Sequence, residues 1–499
     1  MRYLSTRALT PPVSTAQALV SGQAADGGLF VPEQFPTLGG GAESLVGLTL
    51  PEILARLLEL FFGDLGPGVA ERAAAHCQHH FADGEMAKLR QVGPRWVLEL
   101  FHGPTSAFKD VALGTLPALL HEALRQVFQS GELSQTAKVP RLLVLTATSG
   151  DTGSAALHGL GDTPGVGTLV FYPQSGISEL QRRQMVCCPA AGIRPVALRG
   201  NFDDAQRTVK GLLSDRELAN DLAGRGILLG SANSINIGRL VPQVAYHAWA
   251  WAELRRLGVL AAGEPMDTVI PSGNFGNLLA AWWARRLGVP LRQLGCASNA
   301  NHVLADFLAT GLYDARRSLA VTNSPSMDIL ISSNLERLLS DVLGDPAQLV
   351  DLQTQLAKHH WFQLSNTALG NVREVIFGGW SSEQETVQTI ADVWQKHRYL
   401  LDPHTAVAWH LAERHRQAGT AQVVVATASP WKFTGALTHA LALMPSDDEQ
   451  RDAQAVALTT GLQPPSALSG LWQAEIHHTH YCELDQARAQ LLEFAAMPW

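Results

Sequence analysis

The sequence predicts an α/β protein whose sheets are largely parallel. Short β-rich runs alternate with helical patterns through most of the 499 residues, as strand–helix–strand units require. Several of these runs are almost continuously apolar, which is typical of strands that helices cover on both faces. Within the stretch 202–222, Val209, Leu212 and Leu213 recur at helical spacing among charged residues, which indicates a helix with one buried face.

Each predicted element follows from such a run, taken in chain order. The predicted strands are 96–101, 141–147, 168–172, 194–198, 268–270, 291–297 and 422–426. The predicted helices between them are 110–129, 153–160, 202–222, 237–257, 277–287 and 405–417.

The two ends of the chain differ from this pattern. After a triple-glycine break at 39–41, the segment 50–80 reads as helices without strand alternation, so residues 1–95 are predicted to form an N-terminal helical domain. The stretch 130–138 is predicted to be a polar connector. An acidic linker around 444–452 precedes a C-terminal extension, residues 446–499. The length is that of about three domains.

Composition excludes several classes of protein. A net charge of −8 argues against a broad nucleic-acid-binding face, which needs clustered Lys and Arg. With 46% apolar and 16% charged residues, most of the chain is expected to fold. Five cysteines form no disulfide framework and suit a reducing compartment. No secretory signal or membrane-length apolar stretch is visible, so a cytoplasmic protein that does not contact membranes is expected.

A lysine in a strand-to-helix loop is the first candidate for chemistry. The segment 101–110 reads Phe-His-Gly-Pro-Thr-Ser-Ala-Phe-Lys-Asp and leads from a predicted strand into a helix. Ligands collect at such loops because strand carboxyl ends and helix N-termini converge there. Partial burial would lower the pKa of Lys109 and make its amine nucleophilic. On this segment alone, a surface lysine at a helix start is the favoured alternative.

Two small-residue loops are candidates for anion binding. Each follows a predicted strand and opens a helix, where backbone N–H groups and the helix dipole attract negative charge. Neither is a P-loop, because no Gly-Lys-Ser/Thr follows. Alone, each could equally be a tight turn. The first loop contains Ser149, Gly150, Asp151 and Thr152, and the second contains Gly273, Asn274, Phe275, Gly276 and Asn277.

A hydroxyl ends the last predicted strand. Thr427 follows the apolar run 422–426, where a β-branched residue commonly serves packing alone. The functional interpretation is a neutral hydroxyl that faces a heteroatom of a planar cofactor.

In this order and spacing, these segments resemble the threonine synthase family, whose members have the pyridoxal-phosphate type II fold. The resemblance covers nearly the whole chain. Its motifs are Asp-Gly-Gly-Leu-Phe-Val-Pro-Glu at 26–33, the lysine segment 102–110, Ser-Gly-Asp-Thr-Gly at 149–153, Ser-Ile-Asn at 234–236, Gly-Asn-Phe-Gly-Asn at 273–277, Ser-Pro-Ser-Met-Asp-Ile at 324–329 with Ser-Ser-Asn at 332–334, and Asp-Pro-His-Thr-Ala-Val at 402–407.

The resemblance implies two open parallel-sheet α/β domains, a large one (96–135 and 236–445) that binds the cofactor and a small one (136–235). The implied cofactor is pyridoxal 5′-phosphate, with Lys109 as the Schiff-base lysine and proton carrier. Gly273, Asn274, Phe275, Gly276 and Asn277 would hold the cofactor phosphate, and Thr427 would face the pyridine nitrogen. Ser149, Gly150, Asp151 and Thr152 would hold the substrate carboxylate. Asn236 and Arg239 would bind the substrate phosphate.

The implied reaction converts O-phospho-L-homoserine and water to L-threonine and phosphate. Alternatives are a phospho-lyase that releases 2-oxobutyrate and a catalytically silent relative that binds a small anion. A nucleotide-binding enzyme is disfavoured by the missing Walker lysine. The expected partner is the small-molecule substrate, and both a monomer and a dimer stay open.

The chain departs from the resemblance near its last strand. Where the family usually has Thr-Ala-His-Pro-Ala-Lys-Phe, residues 427–433 read Thr-Ala-Ser-Pro-Trp-Lys-Phe, which places Ser429 and Trp431 at altered positions. The histidine-containing runs 76–80 and 477–482 lack the spacing of a zinc site, so no metal is predicted.

Overall fold

The computed structural model describes residues 1–130 and 140–499. Its strands are β1 (Arg2–Ser5), β2 (Val13–Ser14), β3 (Phe30–Pro32), β4 (Lys88–Val92), β5 (Arg95–Glu99), β6 (Arg141–Ala147), β7 (Val166–Pro173), β8 (Ile193–Leu198), β9 (Ile227–Ser231), β10 (Met266–Pro271), β11 (Leu291–Ser298), β12 (Leu312–Asp314), β13 (Trp361–Gln363), β14 (Ile376–Trp380), β15 (Gln422–Ala426) and β16 (His480–Cys482).

The helices connect and cover these strands. They are α1 (Thr15–Ser21), α2 (Leu50–Phe62), α3 (Val69–His79), α4 (Lys109–Gln129), α5 (Asp151–Leu160), α6 (Glu179–Val186), α7 (Phe202–Ser214), α8 (Arg216–Gly224), α9 (Ile237–Arg256), α10 (Gly276–Arg286), α11 (Val303–Thr310), α12 (Leu335–Leu343), α13 (Pro346–His359), α14 (Asn366–Arg373), α15 (Glu383–His397), α16 (Pro403–Arg414), α17 (Thr434–Ala440), α18 (Glu449–Thr460), α19 (Ser466–Ser469) and α20 (Ala487–Ala495).

Two sheets carry the architecture. The larger has the order β14-β11-β10-β15-β5-β4 and is parallel except for the edge strand β4, which pairs antiparallel with β5. The second has the order β16-β8-β7-β6-β9 and is parallel throughout. Every residue of β7, β10 and β15 is buried, because helices cover both faces of the strands. The predicted α/β class with two parallel sheets is therefore confirmed.

The predicted elements are present with small shifts in their ends. All seven predicted strands exist, and two of them, β6 and β15, have the predicted bounds. The predicted helix 202–222 is instead two helices, because Asp215 has an extended backbone and its side chain caps α8 by accepting from the Leu218 amide. Four strands of these two sheets were not predicted from the sequence: β4, β9, β14 and β16.

The N-terminal region is not purely helical, which corrects the sequence prediction. Strands β1, β2 and β3 form a three-stranded antiparallel sheet. They are too short for an alternating pattern to be visible in the sequence. The segment 50–80 does form helices, α2 and α3, and these pack on α9 and α4. Because β4 pairs with β5, the larger sheet begins before residue 95.

The C-terminal region adds to the second sheet. Strand β16 pairs in parallel with β8, and α20 packs against β7. The predicted connector beyond Ser130 and the predicted domain boundary at residue 135 lie outside the described residues. Within residues 1–130 and 140–499, no helix is long and apolar enough to cross a membrane.

Candidate active site

Four loops meet at the carboxyl ends of the two sheets. They follow β5, β15, β10 and β6, and three of them lead directly into the N-termini of α4, α10 and α5. Parallel strands place all their carboxyl ends at the same edge, and helix N-termini point there with free N–H groups. The candidate site lies at this edge.

The segment 102–110, which we call the lysine loop, is hydrogen-bonded to the loop that follows β15. The Phe108 amide donates to the Thr427 carbonyl at 2.8 Å, and the Ser429 amide donates to the Ser106 carbonyl at 3.0 Å. Between these bonds, Ala107 and Ala428 form an antiparallel bridge. Thr427 is thereby brought next to the residue that precedes Lys109.

Ser106 adopts a left-handed conformation, with φ of +54°. A non-glycine residue there costs of the order of 1–2 kcal/mol. The turn is retained because both flanking segments are hydrogen-bonded to the neighbouring loop, and it directs Lys109 into the site.

Lys109 is a buried amine. It is the first residue of α4, and its side chain is 10% exposed. Its Nζ lies 3.5 Å from Asp151 Oδ2 and 5.3 Å from the centre of the Phe108 ring. Burial lowers the pKa of Lys109; Asp151 opposes this shift, while the positive charges of Lys432 and Arg239 add to it.

Asp151 collects four side-chain donors. Its Oδ1 accepts from Lys432 Nζ at 2.6 Å and from Gln181 Nε2 at 3.0 Å. Its Oδ2 contacts Lys109 Nζ and accepts from Ser326 Oγ at 3.2 Å. Burial opposes ionisation of Asp151, yet Lys432 and Lys109 together hold the pKa of this carboxyl well below its usual range.

The loop before α5 is shaped by Thr148. Its Oγ1 accepts from the amides of Gly150 at 2.9 Å and Gly153 at 2.8 Å. Gly150 has φ of +137°, and a Cβ there would lie 2.5 Å from Gln181 Cδ. Glycine is required at this position by both conformation and space.

The first turn of α5 has free donors. Within the described part of the chain, the amides of Asp151 and Thr152 have no hydrogen-bond acceptor. Ser149 and Thr152 are half-buried beside them. Free N–H groups at a helix N-terminus suit a carboxylate or a phosphate.

The loop from Gly273 to Asn277 has the same design. Phe275 takes a left-handed φ of +65° and precedes α10. Across residues 1–130 and 140–499, none of the five amides from Gly273 to Asn277 has an acceptor. A Cβ on Gly273 would lie 2.7 Å from the carbonyl oxygen of Ser326, so the close approach requires glycine.

Carbonyl groups of this loop are held by a neighbouring segment. Ser332 Oγ donates to the Gly273 carbonyl at 2.6 Å, and the Asn334 amide donates to the Asn274 carbonyl at 3.1 Å. Ser326 contacts Asp151 through its hydroxyl and approaches Gly273 through its carbonyl. The two anion-binding loops are thus neighbours.

Asn277 is supported by His247 on α9. His247 Nε2 lies 2.8 Å from Asn277 Oδ1 and 3.1 Å from the Asn277 carbonyl. Burial lowers the pKa of His247 to about 4, so its ring is neutral at pH 7.

Asn236 and Arg239 lie at the start of α9 with different surroundings. Asn236 Oδ1 caps the helix by accepting from the Gly238 amide, and its Nδ2 donates to the Leu19 carbonyl at 2.9 Å. Both ends of this amide are used inside the fold. Arg239 is buried and donates once, to the Ala232 carbonyl at 2.6 Å.

The Arg239 guanidinium has no carboxylate partner among the described residues. Burial lowers its pKa to about 10. An unpaired buried cation is costly unless it binds an anion.

Several polar atoms around the site are buried without a partner in the described part of the chain. They are Arg239 Nε, Ser272 Oγ, Asn277 Nδ2 and Ser429 Oγ. Buried polar groups are normally hydrogen-bonded, so this cluster indicates a polar ligand.

Four residues of the site had no role predicted from the sequence. Ser326, His404 and Lys432 lie in the motifs 324–329, 402–407 and 427–433, whereas Gln181 lies outside all the motifs named above. His404 Nδ1 lies 2.8 Å from Asp402 Oδ1, and its Nε2 accepts from the Ser326 amide at 3.3 Å. A second lysine in the motif of residues 427–433 was the available signal for Lys432.

The histidine-containing run 76–80 packs against α4, where Cys77 Sγ donates to the Val111 carbonyl at 3.3 Å. Among residues 1–130 and 140–499, no group of three or more His, Cys, Asp or Glu side chains could hold a metal ion. His76 Nδ1 instead lies 2.9 Å from the Gly114 carbonyl.

Known proteins have sequences similar to this chain. Residues 2–68 match the family described as "Threonine synthase N terminus". The chain is 37% identical to threonine synthase of Pseudomonas aeruginosa, over 88% of this chain and 90% of that protein. It is 38% identical to human threonine synthase-like 1 over 85% of this chain, but it spans only 58% of the length of that relative.

Two solved threonine synthase structures are similar to the fold of this chain. The PLP-bound threonine synthase from Brucella melitensis has a TM-score of 0.86 and 33% identity, with both chains covered completely. Yeast threonine synthase also has a TM-score of 0.86, with 28% identity over 99% of each chain.

The fold and the site define an α/β protein that holds a buried amine between two loops that are candidates for anion binding. The sequence and structural matches cover most of the chain and identify the family within this class. The chain belongs to the threonine synthase family.

Proposed function

We propose that the protein is a pyridoxal-phosphate-dependent threonine synthase, which converts O-phospho-L-homoserine and water to L-threonine and phosphate. The observation that carries this proposal is the buried Lys109 between two loops of free backbone amides. The PLP-bound Brucella relative, which matches along the whole chain, supports the same chemistry.

The residues present fit the cofactor. The free amides from Gly273 to Asn277 would hold its phosphate, and the unpartnered Ser272 Oγ and Asn277 Nδ2 supply further donors. Thr427 would face the pyridine nitrogen, and as a neutral hydroxyl it does not force the ring to be protonated. When bound, the cofactor supplies an electron sink for the carbon next to the substrate amine.

The substrate would be held at its two charged ends. The amides of Asp151 and Thr152, with Ser149 beside them, would bind the α-carboxylate, whereas the Gly150 amide donates to Thr148 Oγ1 and is assigned to shaping the loop. Arg239 would bind the phosphate, because its buried charge lacks a partner in the described residues. The Asn236 amide is engaged by the Gly238 amide and the Leu19 carbonyl, so we assign it to positioning α9, which replaces the direct phosphate contact expected from the sequence.

Lys109 would anchor the cofactor and move protons. The lowered pKa of Lys109 keeps its amine available as a nucleophile and as a base. The Nζ would accept and return a proton at the substrate carbons beside it. Burial of this amine excludes bulk water, which would otherwise exchange the proton.

To test this proposal, the cofactor-loaded protein is incubated with O-phospho-L-homoserine and the product is identified. We expect L-threonine and phosphate in equal amounts. Formation of 2-oxobutyrate with phosphate would assign the lyase alternative, and absence of both cofactor absorption and product would assign the silent relative.

Lys109→Ala is the matching variant. It should lose both turnover and the visible absorption of the loaded protein, because no amine remains to attach the cofactor. Lys358→Ala, which removes an exposed lysine of α13, is the control and should keep both. An unchanged spectrum in Lys109→Ala would contradict the assignment.

The proposal includes a cytoplasmic location. It is supported by the five cysteines, all of which are free and buried. The partner is the small-molecule substrate, and light scattering would distinguish a monomer from a dimer.

A further inference from the structure

A second lysine lies beside Lys109 without an assigned role. Lys432 follows β15, and its side chain is fully buried, with 0% exposed. Its Nζ lies 2.6 Å from Asp151 Oδ1 and donates to the Thr105 carbonyl at 2.8 Å. A buried ammonium with two such partners is a specific arrangement, because desolvation makes an unpaired one costly.

The two partners of Lys432 belong to two different loops. Thr105 belongs to the lysine loop, and its carbonyl also accepts from Gln184 Nε2 at 2.9 Å. Asp151 begins α5 on the other sheet. Lys432 therefore joins the lysine loop to one of the anion-binding loops.

The charged groups around Lys109 come from several elements. Asp151 faces it from α5, Lys432 from the loop after β15 and Arg239 from α9. Asp110 follows it on α4, with its carboxylate bonded to the Thr105 amide at 3.0 Å. His404 on α16 also lowers the pKa of Asp151 by electrostatic interaction.

Asp151 is the carboxylate that contacts Lys109, and it favours a proton on this amine. A carboxylate next to an amine stabilises the ammonium form. Lys432 contacts this carboxylate at 2.6 Å, whereas Lys109 contacts it at 3.5 Å. Lys432 thus neutralises the charge that would otherwise keep Lys109 protonated, and it adds a like charge beside it.

We propose that Lys432 is a positioning residue of the site, which holds and neutralises the Asp151 carboxylate so that Lys109 is left as a free amine. Its importance for catalysis rests on the proposed function. The placement of Lys432 also lets the loop before α5 accept an anion, because the charge of Asp151 is compensated.

The test measures the pKa of Lys109 in the cofactor-free full chain. Brief labelling with acetic anhydride at a series of pH values, followed by peptide mass spectrometry, reports the labelling midpoint of Lys109 on its own peptide. In Lys432→Met, the midpoint should rise by about one pH unit or more, because Asp151 then pairs with Lys109 alone. In Lys432→Arg, which keeps the charge, most of the shift should be absent.

Two further variants make the result specific. Gln184→Met removes the other donor to the Thr105 carbonyl without changing charge, and it should leave the midpoint in place. Asp151→Asn should lower the midpoint, since the carboxylate that contacts Lys109 is then removed while the positive charges of Lys432 and Arg239 remain; it carries the test if Lys432→Met does not fold.

A midpoint that stays unchanged or falls in Lys432→Met would overturn the proposal. So would an equal rise in Gln184→Met, which would indicate displacement of the loop, or an unchanged or higher midpoint in Asp151→Asn. The labelling needs neither cofactor nor substrate, so a failed product assay would reject the proposed function without affecting this result.

Discussion

Two buried arginines in the protein differ in how their charge is satisfied. Arg337 donates to the Phe30 carbonyl at 3.0 Å, to Asn334 Oδ1 at 2.6 Å and to the Ile235 carbonyl at 2.6 Å. Arg239 makes one hydrogen bond, and its Nε has no partner in the described residues. The contrast indicates that Arg337 serves the fold, whereas Arg239 is held ready for an anion.

Replacing these two arginines should have opposite effects on stability. In the cofactor-free protein, Arg239→Met should raise the free energy of unfolding by about 1 kcal/mol or more, because it removes an unpaired buried charge. Arg337→Met should lower it by about 2–4 kcal/mol, because three acceptors lose their donor. Urea unfolding measures both.

Arg239→Met should also raise the KM for the phosphorylated substrate at least tenfold. This corresponds to a loss of about 1.4 kcal/mol or more of binding free energy. A destabilised Arg239→Met with an unchanged KM would show that Arg239 is structural. The pair of variants separates the two roles.

Sequence reasoning reached some residues of the site and not others. Lys109 and the two loops could be singled out as candidates because they lie between a predicted strand and a predicted helix, and their proposed roles came from the family resemblance. Asn236 was expected to bind phosphate, but its amide caps α9, since an Asn at a helix start serves either purpose. Lys432 was not given a role, because nothing in its neighbours predicts burial beside Asp151.

At the level of elements, the loop before α10 contains a close contact, between Gly273 and the Ser326 carbonyl, that only glycine permits. A Cβ on Gly273 would lie 2.7 Å from the Ser326 carbonyl, whereas a Cβ on Gly276 would have no atom nearer than 3.5 Å. Gly273→Ala should therefore lower the free energy of unfolding by about 1–3 kcal/mol.

Gly276→Ala is the matched control, because it lies in the same loop and enters a helix. It should be neutral or stabilising by up to about 1 kcal/mol. Thermal unfolding of the two cofactor-free variants compares them. Equal losses in both would mean that the contact with Ser326 does not decide the fit.

The contact between α9 and α10 predicts a pH dependence. His247 has a folded pKa of about 4, below its unfolded value of about 6.5, so the folded state binds fewer protons between these values. This group therefore costs stability as the pH falls from about 6.5 to about 4, in total about 3 kcal/mol. Acid should thus weaken the support that His247 gives to Asn277.

Asp110 acts in the other direction, because burial raises the pKa of its carboxyl to about 6. Stability from this group increases as the pH falls through that value toward about 4. The measurement is therefore the difference between wild type and His247→Gln in urea unfolding at pH 7.5 and pH 5. The variant should lose less stability on acidification, by about 2 kcal/mol, and an equal loss would reject the buried neutral His247.

For the whole molecule, the N-terminal region shares a core with the larger sheet. Phe61 of α2 is fully buried and stacks on Trp283 of α10, with ring centres 5.6 Å apart and planes 2° from parallel. Tyr3 of β1 donates to the Phe61 carbonyl at 2.7 Å. These contacts favour common unfolding of the two regions.

Phe61→Ala should lower the free energy of unfolding by about 3–5 kcal/mol, because it leaves a cavity against Trp283. The loss should appear in the transition that tryptophan fluorescence reports, at the same urea concentration as in circular dichroism. Leu458→Ala, which changes a residue that is 87% exposed, should leave the transition in place. An early separate transition in Phe61→Ala would show an independent N-terminal domain.

The sequence by itself determined the α/β class, the positions of seven strands along the chain and the strand-to-helix loops that are proposed to carry the chemistry. These features depend on local patterns, such as apolar runs, turn residues and helix starts, which a single chain displays. The short strands β1 to β3 and the ends of the domains have no such local signal.

Only the tertiary structure decided which polar groups are paired. Lys109 and Lys432 are 323 residues apart, and their common partner Asp151 begins α5, which follows a strand of the second sheet. Burial and charge at a site are sums over residues that are distant in sequence, so the lowered pKa of Lys109 and the unpaired charge of Arg239 emerge only when the sheets assemble.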